Sequence, residues 1–175
     1  MIATAHGIIW RSHIKEIIAK YADWGRGVSG SSVVVAYDTM WGATEQMARA
    51  VLEGVVNAGA EGVLLRMNET PNSTVVADLF EAGGLIAGSS TLNNGMLPTM
   101  GSLLVYLKGL KPTGKKGATF GTYGWAGGAQ RDMEALLTEA GFEMEQGFTC
   151  KWKAQPEDLA AARQLGYEFA KKLQK

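Results

Sequence analysis

Apolar runs alternate with amphipathic helical patterns from about residue 32 onward. The run at 33–36 is apolar and β-branched, a pattern typical of a strand that is buried on both faces of a parallel sheet. A helical stripe follows at once, over about 43–57. The same alternation continues to the end of the chain, with predicted strands at about 32–37, 62–66, 84–88, 116–121 and within 142–152. Because crossovers between parallel strands are right-handed, five strands and five helices predict a doubly wound α/β sheet with helices on both faces.

The first thirty residues do not follow this alternation. Ser12 is a candidate N-cap for a helix, and the glycine- and serine-rich stretch 25–32 resembles a linker. The apolar stripe of this helix contains Ile14, Ile17, Ile18, Tyr21 and Trp24. We therefore predict a helical extension over 1–30 and a main domain over 31–175. We expect the apolar face of the extension to pack on the main domain or on a second subunit of a homodimer, or to be mobile.

Three unusual loops leave the carboxyl ends of the predicted strands, where doubly wound sheets bind their ligands: residues 38–44, 89–97 and 122–128. The first combines small and hydroxyl residues at a helix start, so its N–H groups and the helix dipole suit an anion, and Thr39 and Thr44 add hydroxyl donors. It has neither the lysine of a triphosphate-binding loop nor a dinucleotide-binding glycine motif, which favours a single monophosphate. An alternative interpretation is a helix that Asp38 or Thr39 caps after a core strand.

The second and third loops suit a flat ring. In the second loop Asn94 and Gly95 tolerate positive φ, so the backbone can lie flat against a planar ligand. In the third loop Tyr123 and Trp125 supply stacking faces between glycines. A simple turn at 93–95 and a Trp125 folded onto the core are the alternatives. A monophosphate together with a planar heteroaromatic ring describes FMN.

These loops also carry a resemblance to a known family. The stretches 39–44, 90–98 and 120–128 resemble the three FMN loops of flavodoxin-like domains, and more narrowly those of flavodiiron proteins, the A-type flavoproteins. In that family the flavodoxin domain follows a metallo-β-lactamase-like domain with two irons. The stretch 6–10 resembles the end of that preceding domain, where His6 matches an iron ligand. We expect nearly all of the diiron domain to be absent here, so His6 alone forms no catalytic site.

The resemblance implies a flavodoxin-like sheet of order 2-1-3-4-5, FMN binding and electron transfer. It implies no diiron reduction of oxygen or nitric oxide by this chain alone, and whether the chain is itself an enzyme stays open. A rubredoxin-like protein or a reductase would be the electron donor, and a diiron domain or subunit the acceptor. The candidate FMN-binding residues are Thr39, Met40, Trp41, Gly42, Ala43, Thr44, Ser90, Thr91, Leu92, Asn93, Asn94, Gly95, Thr122, Tyr123, Gly124, Trp125 and Gly127.

Within this set the roles differ. Thr39, Thr44 and the loop amides would hold the phosphate, and the backbone of 91–95 would border the ring near its N5 edge. Tyr123 and Trp125 would flank the ring, with Leu92 or Trp41 covering another side. We assign no acid, base, nucleophile or metal ligand.

Composition narrows the range of functions. The formal net charge is zero, so neither nucleic acid nor an anionic membrane is an expected partner. The sequence contains no apolar run of membrane-spanning length and no secretory leader, and the single Cys150 excludes an internal disulfide. Together these features favour the cytoplasm.

Two other functions stay open from the sequence. One is an NAD(P)H:quinone reductase of the flavodoxin-like type, and the other is a non-redox binding module that no longer holds flavin. A response-regulator receiver is disfavoured, because residues 89–90 are serines where a phosphorylatable aspartate belongs.

The charge of the loops predicts the redox behaviour. After Asp38 the three loops contain no Asp or Glu. Many electron-carrying flavodoxins surround their flavin with acidic residues, which disfavour its anionic reduced form. We therefore predict a less negative potential here than in strongly acidic flavodoxins.

Overall fold

The computed structural model describes residues 1–174, and Lys175, the last residue of the predicted domain 31–175, lies outside them. Within the described residues there are six helices and six strands. They are α1 Ile14–Gly25, β1 Val33–Asp38, α2 Ala43–Asn57, β2 Gly62–Arg66, α3 Asn72–Glu81, β3 Gly84–Ser90, α4 Pro98–Leu110, β4 Lys116–Tyr123, α5 Ala129–Glu139, β5 Glu143–Met144, β6 Phe148–Lys151 and α6 Pro156–Leu173.

The strands form one parallel sheet of order β2-β1-β3-β4-β5, with β6 also paired to β4. The predicted α/β fold and strand order are therefore confirmed. The predicted fifth strand is divided in two, and Gly147 lies in the break. A Cβ atom at Gly147 would lie only 2.4 Å from the hydroxyl oxygen of Thr119, so the backbone approaches β4 too closely for a larger residue.

Alternate residues of the central strands enter two separate apolar clusters, as a sheet covered on both faces requires. Val33 and Val35 pack with α2 and α6, whereas Val34 and Ala36 pack with α3, α4 and α5. All four side chains are 0–1 % exposed, and each such burial contributes roughly 1–3 kcal/mol. Gly166 brings α6 against α2, because a Cβ there would lie 2.0 Å from a backbone oxygen of α2.

Helix α1 forms in the predicted extension but begins later than its sequence pattern indicates. The N-cap position is occupied by His13 in a left-handed conformation, with φ 56°, so Ser12 as the N-cap is wrong. The His13 ring contacts the Glu16 carboxylate in the first turn at 2.7 Å. This contact between two side chains of the first turn is not predicted by looking for a capping hydroxyl in the sequence.

The extension packs on the main domain through one edge of α1. The ring of Trp24 lies 5.2 Å from that of Phe80, and its Nε1 donates a hydrogen bond to Glu81 at 3.1 Å. The ammonium of Lys20 lies 2.5 Å from the same carboxylate and lowers its pKa. Tyr21, on the outer side of the helix, stays 66 % exposed. Packing on the main domain is thus observed for part of the predicted apolar face, and the boundary at residue 30 stays a prediction.

A buried lysine lies beside this contact at the amino-terminal edge of the sheet. The Lys115 ammonium is almost out of solvent and donates to the backbone oxygens of Phe80 and Ala82 at 3.0 and 2.6 Å. These are carbonyls at the end of α3, where a cation complements the helix dipole. Burial lowers the pKa of Lys115 to about 8, although Glu81 partly opposes that shift.

We predict that Lys115→Met removes a pH dependence of stability. In the native protein Lys115 loses its proton near pH 8, whereas in the unfolded chain it keeps the proton up to about pH 10.5. The unfolded state binds more protons between these values, so wild type should gain on the order of 3 kcal/mol over Lys115→Met as pH rises through that window. Urea unfolding of both proteins across the window measures the difference.

The control is Lys15→Met at an exposed position of α1. Its stability should follow that of wild type across the same window. A constant difference between wild type and Lys115→Met would contradict the prediction, because desolvation would then not control the proton on Lys115.

Candidate functional site

The register of the sheet brings the three predicted loops to one rim. Asp38 pairs with Ser89 at the ends of β1 and β3, and Ser90 pairs with Thr122 at the ends of β3 and β4. The amide of Thr91 also donates to the Thr122 carbonyl at 2.8 Å. The loops after β1, β3 and β4 are therefore direct neighbours.

A buried group of hydroxyls, here called the hydroxyl cluster, joins all three loops. It consists of Thr44, Ser90 and Thr122, which are 0 %, 5 % and 6 % exposed. The Thr44 hydroxyl lies 2.8 Å from that of Ser90 and 2.9 Å from that of Thr122. The cluster carries no charge. Because each hydroxyl can donate as well as accept, a hydroxyl at the edge of the cluster can still donate a hydrogen bond to an anion.

The first loop presents the start of α2 at this rim. Gly42 occupies the N-cap position with φ 82°, and glycine has no side chain to cap the helix. Asp38 instead accepts hydrogen bonds from the Thr39 amide and the Thr99 hydroxyl, and Thr39 accepts one from the Gly42 amide at 3.0 Å. The alternative in which Asp38 or Thr39 caps α2 is therefore wrong. The first-turn amides of α2 have no acceptor within the helix and suit an anion.

The apolar residues of the first loop point away from the core. Met40 is 42 % exposed and Trp41 is 92 % exposed. Both lie between the strand end and the start of α2. The rim thus exposes an aromatic surface beside the positive end of a helix dipole.

The second loop contains a tight turn. Leu92 and Gly95 exchange two backbone hydrogen bonds of 2.9 Å, and Asn93 and Asn94 between them have φ of 50° and 62°. Positive φ at both central residues is the mark of a type I′ turn. Of the two residues expected to tolerate positive φ, Asn94 has it and Gly95 does not, and Asn93 has it as well. The turn that the alternative interpretation describes is present at 93–95.

Glycine lets the third loop contact the second. A Cβ at Gly128 would lie 1.9 Å from the Asn94 carbonyl oxygen, so the two backbones touch there. Gly127 lies one position before this contact. Such close approach leaves little freedom for either loop to move independently of the other.

The aromatic residues of the third loop are accessible. Trp125 is 88 % exposed, so the alternative in which it folds onto the core is wrong. Its ring meets that of Trp152 edge to face, with ring centroids 4.9 Å apart. Trp152 follows β6, and its amide donates to the Tyr123 carbonyl at 2.7 Å. Sequence reasoning missed Trp152, although its place after the fifth predicted strand puts it at the same rim.

A cavity of about 390 Å³ opens beside the second and third loops, between β4, β6 and the start of α5. From the predicted set its lining includes Thr91, Thr122, Tyr123 and Gly127. The start of α5 adds Gln130, Arg131 and Glu134, which were not predicted. The predicted residues of the first loop, 39–44, lie outside this lining and reach the other loops through the hydroxyl cluster.

Two carboxylates near these loops come from α5. Asp132 accepts from Arg131 at 2.8–2.9 Å, and one of its oxygens lies 3.1 Å from where a Cβ at Gly95 would be. Glu134 accepts from Thr119 at 3.0 Å and from Gln130 at 2.8 Å. Neither carboxylate was predicted, because both follow the third loop in sequence. The periodicity of α5 brings them back to the rim.

Cys150 and His6 are two further side chains that can be reactive, and one is buried while the other is exposed. Cys150 is buried beside Met47, with their sulfurs 3.6 Å apart, and burial raises the pKa of its thiol to about 11. His6 is exposed on the extension.

Among residues 1–174 no group of three or more His, Cys, Asp or Glu is arranged to hold a metal ion. No helix of that same stretch combines the length and apolarity needed to cross a membrane.

We predict that Thr44→Val lowers the free energy of unfolding by about 1–2 kcal/mol, because Ser90 and Thr122 lose a buried hydrogen-bond partner while the shape of the side chain is kept. The matched control is Thr74→Val at an exposed position of α3, which should change stability by less than about 0.5 kcal/mol. Denaturant unfolding of the two variants measures both values. Equal effects would show that the cluster does not stabilise the rim.

The site geometry fits FMN. The hydroxyl cluster and the first turn of α2 suit a phosphate, since both offer hydrogen-bond donors without a fixed charge. The glycine contacts of the second and third loops and the exposed ring of Trp125 suit a planar ring system. The two requirements are met side by side at one edge of the sheet.

Comparison with known proteins supports this assignment. The sequence model of the flavodoxin family matches residues 35–166. A nitric oxide reductase of Moorella thermoacetica is 41 % identical over 98 % of this chain and 44 % of its own length. The flavodiiron protein of Giardia intestinalis is 32 % identical over 97 % of this chain and 43 % of its own, with a TM-score of 0.90.

The rubredoxin oxygen:oxidoreductase of Desulfovibrio gigas is 31 % identical over 91 % of this chain and 40 % of its own, with a TM-score of 0.88. This chain therefore spans less than half the length of these relatives. The flavodoxin match covers most of the doubly wound sheet and all three rim loops completely. The chain belongs to the flavodoxin family, as an FMN-binding domain of the kind found in flavodiiron proteins.

Proposed function

We propose that this domain receives electrons from a small redox protein and passes them to a diiron domain or subunit. The observation that carries the proposal is the hydroxyl cluster, which joins three rim loops next to the uncapped start of α2. FMN supplies the redox chemistry when it is bound, and the chain supplies binding and electrostatics. The domain needs no acid, base or nucleophile for this task.

The first loop would hold the phosphate of the cofactor. Thr39 can donate its hydroxyl proton while its oxygen accepts from the Gly42 amide. The amides of Ala43 and Thr44 lie in the first turn of α2, where helix geometry leaves them without an internal acceptor. This arrangement binds an anion without a lysine or a metal ion.

The second and third loops would hold the ring. The backbone of 91–95 offers both donors and acceptors near the tight turn, and Trp125 offers an exposed indole face. Tyr123 lines the cavity beside them. Leu92 and Trp41 are exposed at the same rim and would cover another side.

The names of two relatives support the proposed partners. One is called a rubredoxin oxygen:oxidoreductase and the other a flavodiiron protein. We infer a rubredoxin-like donor and a diiron acceptor for this domain. The exposed side chains of Met40, Trp41 and Trp125 provide an apolar rim that a partner can cover during electron transfer.

A flavin titration tests the proposal. We expect the purified chain to take up one equivalent of FMN and to bind it more tightly than riboflavin. Thr39→Val should weaken FMN binding about 10- to 100-fold and leave riboflavin binding nearly unchanged, because it removes a hydrogen bond to a charged group. Fluorescence titration with each flavin measures both affinities.

The competing functions give other outcomes in the same experiment. A wild-type chain that takes up no flavin would contradict the proposal and favour a non-redox binding module. Rapid bleaching of the bound flavin by NADH alone would favour a quinone reductase. Slow bleaching by NADH and fast reduction by a reduced rubredoxin would support electron transfer between proteins.

The Arg131–Asp132 ion pair at the start of α5 provides a test of what sets the reduction potential of the flavin. Arg131→Gln leaves Asp132 uncompensated beside the second loop and should lower the flavin potential. Asp132→Asn should raise the flavin potential, by a shift that corresponds to an energy on the order of 1 kcal/mol for a charge near solvent. Potentiometric titration measures both shifts, and Arg131→Lys, which keeps the charge, is the control. Shifts of the same sign in Arg131→Gln and Asp132→Asn would exclude a charge effect.

A further inference from the structure

Trp125 extends from the rim with little support from its own loop. Its neighbours in sequence are Gly124, Ala126 and Gly127, and its side chain is 88 % exposed. A side chain in such a loop loses rotational freedom when it stacks on a ligand, and that loss weakens binding. The ring nevertheless has a defined neighbour, because Trp152 meets it edge to face at 4.9 Å and 78°.

Trp152 is itself held in an unusual backbone conformation. Its φ is 62°, in the left-handed region that bulky residues rarely adopt. Its amide donates to the Tyr123 carbonyl at 2.7 Å, which fixes the end of β6 to the end of β4. Such strain persists only where the surroundings impose it, and it is common at functional sites.

Gly124 completes the arrangement. A Cβ at this position would lie 3.2 Å from the ring of Trp152, so the absence of a side chain there lets the indole lie against the loop backbone. Trp152 is 52 % exposed, so burial in the core does not account for its position. Its amide bonds to the carbonyl of Tyr123, and its ring lies near the backbone at Gly124 and against the ring of Trp125.

We propose that Trp152 is a positioning residue that holds the Trp125 indole in the orientation in which it flanks FMN. This inference rests on the proposed function, because it requires that the third loop borders the flavin. Trp152 limits the rotation of Trp125 before the cofactor arrives. Less conformational entropy is then lost on binding, so the affinity rises without a contact between Trp152 and the cofactor.

The test uses two variants of Trp152. Trp152→Asn removes the ring but keeps a residue that tolerates left-handed backbone, and Trp152→Phe keeps an aromatic edge. We expect Trp152→Asn to weaken FMN binding about three- to tenfold, the range for loss of one aromatic pair, and Trp152→Phe to restore most of it. The visible circular dichroism of bound FMN should change in Trp152→Asn, and the aromatic circular dichroism of the flavin-free protein should lose the signal of the coupled indoles.

A double-mutant cycle separates positioning from a general structural role. In a Trp125→Ala background, Trp152→Asn should have no further effect on FMN affinity. The control is Trp10→Asn in the extension, which should bind FMN as wild type does. The melting temperature of each variant, measured without flavin, shows whether stability changes with affinity.

The outcomes distinguish this inference from the proposed function. An unchanged affinity and an unchanged flavin signal in Trp152→Asn would overturn the inference and leave FMN binding intact. An equal loss with and without Trp125 would overturn it too, since Trp152 would then act by another route. A wild-type chain without FMN affinity would overturn both proposals.

Discussion

The Thr44 hydroxyl links the sheet to the site. It is fully buried and bonds to one hydroxyl at the end of β3 and another at the end of β4. Thr44 belongs to the first turn of α2, so these bonds fix the start of that helix against two neighbouring strands. The anion-binding end of α2 and the two loops that suit a ring are therefore held in one geometry. A cofactor with a phosphate at one end and a ring at the other benefits from this coupling, because one molecule must reach both parts of the site at once.

Sequence periodicity predicted most of this frame. The apolar run at 33–36 implied a strand covered on both faces, and the structure places its alternate residues in two clusters on opposite sides of the sheet. Parallel strands and right-handed crossovers then require the loops after β1, β3 and β4 to share one edge. Such predictions succeed because burial on both faces and crossover handedness are constraints on the whole fold.

Local chemistry and distant contacts were harder to predict. Ser12 has the usual N-cap hydroxyl, yet α1 begins after His13, whose ring contacts Glu16 instead. Asn94 and Gly95 were expected to tolerate positive φ, but the type I′ turn places it on Asn93 and Asn94. Trp152 belongs to a rim that sequence reasoning built from three loops, although a fourth strand also ends there. In each case the result depends on a contact between residues that a local pattern does not describe.

The rim combines a close-packed backbone with exposed aromatic rings. A Cβ at Gly128 would lie 1.9 Å from the Asn94 carbonyl oxygen, so the second and third loops touch there. The Trp125 indole lies outside this contact, where it is 88 % exposed. Exposed apolar area is unfavourable in water by about 25 cal/mol per Å², so a planar ligand that covers such a ring gains binding energy without disturbing the loops. The rim therefore offers a close-packed backbone and an accessible aromatic face to the same ligand.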